Sequence, residues 1–431
     1  MQSDSTDSTP TSPPRFESAT EMGMNQIWES ISNCRICDST QLSEILDLGE
    51  QPPANSLYSS GERPPPRIPL RALFCNQCSC VQLGESVNPE YLFGKYLWVT
   101  GTSRTASEYS LVFAKRALKK VESANPFVVE VASNDGTFLK EFQTRNCEVL
   151  GIDPAQNIAK VANSNGIPTQ AEFFTIDVAK KITNTRRVAD IAIARNVIPH
   201  VKEIHSVIEG LRALIGETGV GIIEFHDSSL LLKELQYDYI YHEHLFYFTL
   251  QSIQNLLNKH NLFAFDVDRS PISGGSWVIY FSSSAREKSE HLVTAEATEK
   301  KQEINQLENW LQFGEQAKSH REHLKNIVDE IGEPIIAYGA SARSSTLLNF
   351  AEISSQQVTA IIDRNSLKHH LITPGTDVPV ISFEEGIERM ENTKKILLLA
   401  WNFADEVIGD LRNHGYTGQF IQPLPGFPKT I

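Results

Sequence analysis

Four of the six cysteines are spaced to hold a metal. Cys34-Arg35-Ile36-Cys37 and Cys75-Asn76-Gln77-Cys78 are two CxxC knuckles. Each can set two thiolates on one ion, and a pair completes a tetrahedral four-thiolate Zn2+ site. Such a site has no open coordination position, so its expected role is structural, and the segment between the knuckles becomes a small subdomain strung on the metal. Cys80 is an alternative ligand in place of Cys78. A second cluster is Tyr241-His242-Glu243-His244. Imidazole is the side chain best suited to move protons near neutral pH. A neighbouring carboxylate fixes its tautomer or serves as a partner acid, and a phenol can hydrogen-bond a developing enolate. The His-x-His pair lacks HExxH spacing, which turns the reading from metal ligation to acid–base work.

The third feature is a turn. Residues 128–137, Val-Val-Glu-Val-Ala-Ser-Asn-Asp-Gly-Thr, read as a buried strand running through a tight turn into a helix. A dinucleotide site would want GxGxxG and a pyrophosphate on the helix N-terminus. This turn has one glycine and two carboxylates, Glu130 and Asp135, which repel a pyrophosphate and suit a cationic sulfonium bearing an amino group. Asp153, in Gly151-Ile152-Asp153-Pro154, ends the next strand, where a carboxylate can accept both ribose hydroxyls. The two halves together predict S-adenosylmethionine (SAM) rather than a nicotinamide cofactor. Arg195 and Asn196 end a later strand and are expected on the same rim, since ligands sit beyond the carboxyl ends of parallel strands. His200 lies one short turn further on.

These groups need elements to hold them. Residues 1–26 are rich in Ser, Thr, Pro and Asp and are expected to be a disordered tail. Residues 27–90 hold the knuckles in a Pro-rich, loop-rich domain. Residues 91–285 carry helical spacing at 104–122, then strand-like runs at 127–132, 148–152, 189–194, 220–225, 263–268 and 276–281, with helical patterns among them. That alternation indicates a doubly wound α/β sheet ending in an antiparallel pair. Residues 286–331 read as a long helix or helix pair, and residues 332–431 as a second Rossmann-like lobe with strands at 334–338, 358–363, 395–401 and 419–422.

Composition excludes other classes. Lys and Arg number 39 against 53 Asp and Glu, a net charge of −14, and no basic block offers a nucleic-acid face. No apolar run approaches the ~18–20 residues of a membrane span. The first residues lack the basic and apolar regions of a secretory signal, so the expected location is cytoplasmic.

Taken together, the ordered blocks resemble a known family: the sugar C-methyltransferases that act on C3 of nucleotide-linked 4-keto deoxysugars. The resemblance runs from about residue 31 to 426. It is carried by the CxxC pair, Leu48-Gly-Glu-Gln-Pro-Pro-Ala-Asn55, Glu130 with Ser133-Asn-Asp-Gly136, Gly151-Ile-Asp-Pro154, Ala194-Arg-Asn-Val197 with His200, and Tyr241-His-Glu-His244. Further along come Gly274-Gly-Ser276, Tyr338-Gly-Ala340, Thr346-Leu-Leu-Asn349, Pro374-Gly-Thr376, Leu399-Ala-Trp-Asn-Phe403 and Pro423-Leu-Pro425.

The resemblance implies a small N-terminal zinc-binding domain on Cys34, Cys37, Cys75 and Cys78, a central class I methyltransferase Rossmann-like domain, and a C-terminal Rossmann-like lobe that holds the sugar nucleotide. It implies His244 as the base that removes the C3 proton, Tyr241 and Glu243 as its supporting residues, and His200 and Tyr96 as further active-site positions. SAM would lie on Glu130, Ser133, Asn134, Asp135, Gly136, Asp153, Pro154, Arg195 and Asn196. The substrate would meet Tyr338, Gly339, Ala340, Ser341, Arg343, Asp363 and Lys368, with Arg343 and the 339–345 turn offered to a pyrophosphate. The usual His-Gly-Gly-Ser-Leu-Arg reads Ser273-Gly-Gly-Ser-Trp-Val278 here, Ala-Lys-Gly-Asn reads Ala342-Arg-Ser-Ser345, and Lys-Gln-Gly reads Lys368-His-His370. The sugar and its nucleotide are therefore not read from the resemblance. The alternative on the same scaffold is methyl transfer to oxygen or nitrogen of another small molecule. A monomer is the slightly favoured state.

Overall fold

The computed structural model describes residues 27–93, 100, 104–391 and 393–431. Tyr96 and the expected tail at 1–26 lie outside the described residues.

The central domain is a seven-stranded sheet. Its strands are β1 Phe127–Val131, β2 Glu148–Ile152, β3 Thr169–Gln170, β4 Ile191–Arg195, β5 Val220–His226, β6 Phe263–Ser270 and β7 Ser276–Ser282, in the order β6-β7-β5-β4-β1-β2-β3. Pairing is parallel from β5 to β3 and antiparallel where β7 meets β5 and β6. Every residue of β1, β5 and β7 is buried, as expected of strands covered on both faces, which read as continuous apolar runs. The order reverses between β4 and β1, so the crevice opens beyond the carboxyl ends of those two strands.

Two helices, Glu290–Lys301 and Leu307–Asp329, lead to the C-terminal lobe. Its strands are β8 Ile335–Tyr338, β9 Val358–Ile362, β10 Val380–Ile381, β11 Lys395–Leu398, β12 Gln419–Gln422 and β13 Lys429–Thr430. They form one sheet in the order β10-β9-β8-β11-β12-β13. The run expected as a strand to residue 401 stops at Leu398, and Trp401–Phe403 turns away as a short 3-10 helix.

The zinc-binding domain is more regular than its Pro-rich sequence predicts. Strands Leu42–Gln51 and Ile68–Cys75 pair antiparallel, and Val81–Leu83 follows beside them. Register shifts between Glu44 and Leu46, and again between Asp47 and Glu50, break the period-2 alternation that would have marked these strands. The sheet's fourth strand is Phe246–Tyr247, which the central domain contributes against Val81 and Gln82. The long helix crosses the same sheet at Gly314, where any side chain would run into the carbonyl of Ile45. The zinc-binding domain is thus clamped between the central domain and the linking helix. Among the described residues no helix is long and apolar enough to cross a membrane.

Candidate active site

Each CxxC knuckle closes with a left-handed residue directly after its second cysteine, Asp38 (φ 62°) and Ser79 (φ 58°). The backbone bonds Asp38 N to Cys34 O and Ser79 N to Cys75 O fix the two turns, at 3.0 and 2.8 Å. Cys34 and Cys78 then lie 3.6 Å apart, Cys37 and Cys75 3.5 Å, and all four sulfurs fall within 4.8 Å of one another. A tetrahedron with Zn–S bonds of ~2.3 Å has edges of about 3.8 Å, so the four thiolates fit a zinc ion. Their mutual hydrogen bonds pull the Cys34 thiol far below its usual range and push Cys78 up. Cys80 stands outside this set: it is buried, and its sulfur approaches the Val81 carbonyl at 3.4 Å. Gln82 Nε2 donates to Cys34 Sγ at 3.1 Å.

Beyond β1, the turn uses left-handed conformations at Ala132, Asn134 and Gly136. Asp153 is locked at the end of β2: Asn134 N and Ala155 N donate to its two oxygens, each at 2.9 Å. A carboxylate has about four lone-pair positions, so capacity remains for a diol. Pro154, beside it, is half-buried. Asp135 accepts from Thr137 N and Oγ1, at the first residue of the following helix, at 3.2 and 2.7 Å. Glu130 Oε2 and Ser133 Oγ are buried without a hydrogen-bond partner among the described residues. Burial raises the Glu130 carboxyl to about 7, against the pull of Arg195. An unsatisfied buried carboxylate oxygen is costly, and the ammonium of a bound SAM is the kind of donor that satisfies it. Arg195 itself does not reach the crevice. Its guanidinium is turned inward, bonded to Glu224 at 2.7 Å, 3.5 Å from Glu130 and stacked 3.1 Å above the Phe138 ring. It holds the carboxylates instead of facing a ligand. Asn196 follows in a left-handed conformation, its N–H on the Glu224 carbonyl.

The Tyr241–His244 segment lies between the domains. His244 Nδ1 is 2.9 Å from the Tyr239 carbonyl, and its Nε2 is 2.8 Å from the Tyr241 hydroxyl. A carbonyl only accepts, so Nδ1 carries the proton and Nε2 the lone pair. The backbone of Tyr239 sets this tautomer; Glu243 does not touch the ring. His200 Nδ1 donates to the Glu243 carbonyl at 2.7 Å, and its ring lies tilted against that of His244, 4.9 Å between centres. Burial first, then His200, holds His244 well below the usual imidazole range, and burial raises the Glu243 carboxyl to about 7. His244 is buried while Tyr241 and His200 are half-buried.

In the C-terminal lobe, the turn after β8 carries Gly339 at φ 102°. Ala340 N donates to Asp363 at 2.8 Å, and Lys368 Nζ donates to the Ala340 carbonyl at 2.7 Å. Ser341 caps the helix Ala342–Phe350. Tyr338 is buried, its hydroxyl meeting Arg364 Nε at 3.3 Å. Arg343, expected at a pyrophosphate, instead reaches back to Asp238 of the central domain.

Four contributors escaped the sequence reading. Asn55 donates to Glu243 at 2.7 Å, Asp238 receives Arg343, and Trp401 Nε1 donates to Asp238 at 2.8 Å. His226 ends β5, buried, with its ring stacked 4.1 Å from that of Tyr239. His226 had a local signal, its position at a strand's carboxyl end, and Asn55 and Trp401 stand in two of the blocks that carry the resemblance, with no role assigned to them there.

Three family models match successive stretches of the chain: "Putative zinc binding domain" over 34–93, "Methyltransferase domain" over 106–264 and "C-methyltransferase C-terminal domain" over 271–425. The C-methyltransferase NovU of Streptomyces niveus is 29% identical over 420 residues, covering 95% of this chain and 99% of its own. Among solved structures, magnesium protoporphyrin IX methyltransferase (ChlM) from Synechocystis PCC 6803 with bound SAM is similar at TM-score 0.32 and 11% identity, over 41% of this chain and 79% of its own. A SAM-dependent methyltransferase from Archaeoglobus fulgidus is similar at TM-score 0.34 and 12% identity, over 45% and 100%. With zinc-binding, methyltransferase and C-methyltransferase domain models matching in this order, and a C-methyltransferase similar along nearly the whole length, the chain is a SAM-dependent C-methyltransferase with an N-terminal four-cysteine zinc-binding domain.

Proposed function

We propose that this enzyme methylates C3 of a nucleotide-linked 4-keto deoxysugar, with His244 as the base that forms the enolate. The observation that carries the reading is the bonding of His244: Nδ1–H donates to the Tyr239 carbonyl, and Nε2 keeps the lone pair, which accepts from the Tyr241 hydroxyl. A proton α to a ketone is weakly acidic. Removing it needs a positioned base and a donor for the enolate oxygen, each contributing roughly 10²–10³-fold. A neutral imidazole is ready to accept at neutral pH. With substrate bound, the Tyr241 hydroxyl turns from Nε2 to donate to the C4 oxygen, which frees the Nε2 lone pair to take the C3 proton while Nδ1–H keeps its bond to Tyr239. Glu243 and His200 border the same space. SAM, when bound, supplies an electrophilic methyl carbon; Glu130, Ser133 and Asp153 are the groups that would hold it, with Asn134, Asp135, Gly136, Pro154 and Asn196 along the same rim. On the substrate side, the Gly339–Ala340 turn, the capped helix start at Ser341, Asp363 and Lys368 offer backbone N–H groups, a diol acceptor and a cation suited to a nucleoside diphosphate.

The test is proton exchange. The enzyme is incubated with a nucleotide-linked 4-keto-6-deoxysugar in D2O without SAM, and the C3 proton is followed by NMR. Enzyme-dependent washout that disappears in His244→Ala is expected. Absence of washout with every keto-sugar tried, while SAM binds, would overturn the substrate and mechanism and favour methylation at a heteroatom.

A further inference from the structure

We infer that Asn55, on the zinc-binding domain, is a positioning residue for methyl transfer: its side-chain amide orients the Glu243 carboxylate within the active site. The inference deepens the reading that residues 241–244 form the proton-transfer segment. Asn55 and Glu243 are 188 residues apart, yet Asn55 Nδ2 lies 2.7 Å from Glu243 Oε1. That is at the short end for an N–H to oxygen bond, as expected when the acceptor is charged.

The loop that carries Asn55 is built to hold it there. Pro52 and Pro53 have fixed φ and are buried, as is Ala54. Gly375 of the C-terminal lobe packs on Pro52 so closely that an added Cβ would fall 2.9 Å from Pro52 Cγ, and its φ of +76° itself disfavours a side chain. Arg67 ties the same contact by donating to the Gly375 carbonyl at 2.9 Å. The catalytic segment is registered to the zinc-binding domain from the other side. His242 Nε2 sits 3.3 and 3.2 Å from the Ile68 and Pro69 carbonyls, and Leu83 N donates to Leu245 O at 3.0 Å. Glu243 is therefore held between two parts of one domain, its backbone next to His242 and its carboxylate on Asn55.

The charge argument agrees. Burial drives the Glu243 carboxyl upward, and the Asn55 amide is the group that opposes it. The other titratable neighbours are Tyr241, His200, which bonds the Glu243 carbonyl, and His244. The two imidazoles are held low by burial. Asn55 is itself exposed, so its replacement removes the bond without opening a core.

Two readouts test this on the full-length, zinc-loaded protein. The first needs no substrate. Difference infrared spectroscopy, with Glu243→Gln used to assign the band, follows protonation of the Glu243 carboxyl across pH. Asn55→Ala should raise its midpoint by about one pH unit, and Asn55→Asp, which sets a like charge against it, by more. A midpoint unchanged in both variants overturns the proposal. The second is C3 washout. Asn55→Ala should slow it at least about tenfold at pH 7 with zinc content and melting temperature as in wild type, and should add nothing in a Glu243→Gln background, the non-additivity of residues acting through one another. Additive effects overturn it. If wild type itself gives no washout, the keto-sugar reading has failed, and the infrared titration alone decides the role of Asn55.

Discussion

Arg343 of the C-terminal lobe forms a two-pronged ion pair with Asp238 of the central domain, Nε at 3.0 Å and Nη2 at 2.9 Å. Trp401 adds a third donor to the same carboxylate, and its indole ring lies 4.6 Å from the Arg343 guanidinium. The residue after Asp238 is Tyr239, whose carbonyl sets the His244 tautomer. Thr346, one turn along the Arg343 helix, donates to the Ile240 carbonyl at 3.0 Å. The C-terminal lobe thus grips residues 238–240 while the zinc-binding domain grips 242–247, and the bond from His244 to the Tyr239 carbonyl joins the two stretches.

The first prediction concerns that grip. Asp238 is buried, so Arg343→Met leaves a carboxylate without its cation. Breaking a buried pair in this way costs about 3–5 kcal/mol. The displaced Tyr239 carbonyl should also lower kcat by roughly 10²-fold, the effect of about 1 Å of misplacement. Arg343→Lys should recover part of the stability but little of kcat, since a lysine cannot form the fork. Thermal melts and turnover measured together check this. A pyrophosphate-binding role would instead raise KM and leave the melt unchanged.

The second prediction assigns the acid limb of the pH profile. His244 is held low by burial, so it stays neutral across the working range. The Glu243 carboxyl, raised by burial to about 7, changes state there and lies beside His244 in sequence, whereas Glu130, which also changes state near 7, lies at the end of β1. Washout should fall as pH drops through about 7, and Glu243→Gln should remove that limb while lowering the plateau. His244→Ala should abolish washout at every pH with SAM affinity within about twofold of wild type. A limb near 7 that persists in Glu243→Gln would refute the assignment.

Legibility in the sequence followed the range of each signal. The parallel strands β1, β4 and β5 were visible because both faces are buried and the sequence is continuously apolar. The zinc ligands and the Tyr241–His244 cluster were visible because their chemistry is contiguous. Strands Leu42–Gln51 and Ile68–Cys75 were hidden by bulges and by Pro69 within the second of them. The partners of the site were hidden for a different reason. Asn55, Asp238 and Trp401 are ordinary residues singly, and only the docking of three domains brings them together around residues 238–244. Arg195 and Arg343 were read as ligand contacts because cations at strand ends and turns often are, whereas here each is neutralised by buried carboxylates from elsewhere in the fold.

The third prediction ties the metal to the chemistry. Gln82 donates to Cys34 and stands opposite Phe246, two residues from His244. Cys34→Ser should lose zinc, lower the melting temperature and reduce washout together, in contrast to His244→Ala, which should reduce washout alone. Because the ligands bind as thiolates, metal release should also accelerate as pH falls. Metal analysis on the folded fraction, beside the exchange assay, separates the two variants. Full zinc content in Cys34→Ser would refute the four-thiolate site.

The fourth prediction uses Glu130 to connect stability with cofactor binding. Burial raises its carboxyl to about 7 in the protein without SAM, against ~4.3 in an unfolded chain. Between those values the folded state holds a proton that the unfolded state has given up. This contribution to stability is complete below about pH 4.3 and is lost as pH rises through 7. Glu130→Gln removes the loss, so without SAM the melting temperature of the variant should gain on wild type from pH 5 to 7 and stay level above that. SAM affinity should move the other way, weakening roughly tenfold or more, because a hydrogen bond from the cofactor's ammonium to a charged acceptor contributes about 1.5–3 kcal/mol. Calorimetric melts across pH, paired with titration of SAM, check both signs. Parallel melting curves with unchanged SAM affinity would show that the buried oxygen of Glu130 is not where the ammonium binds.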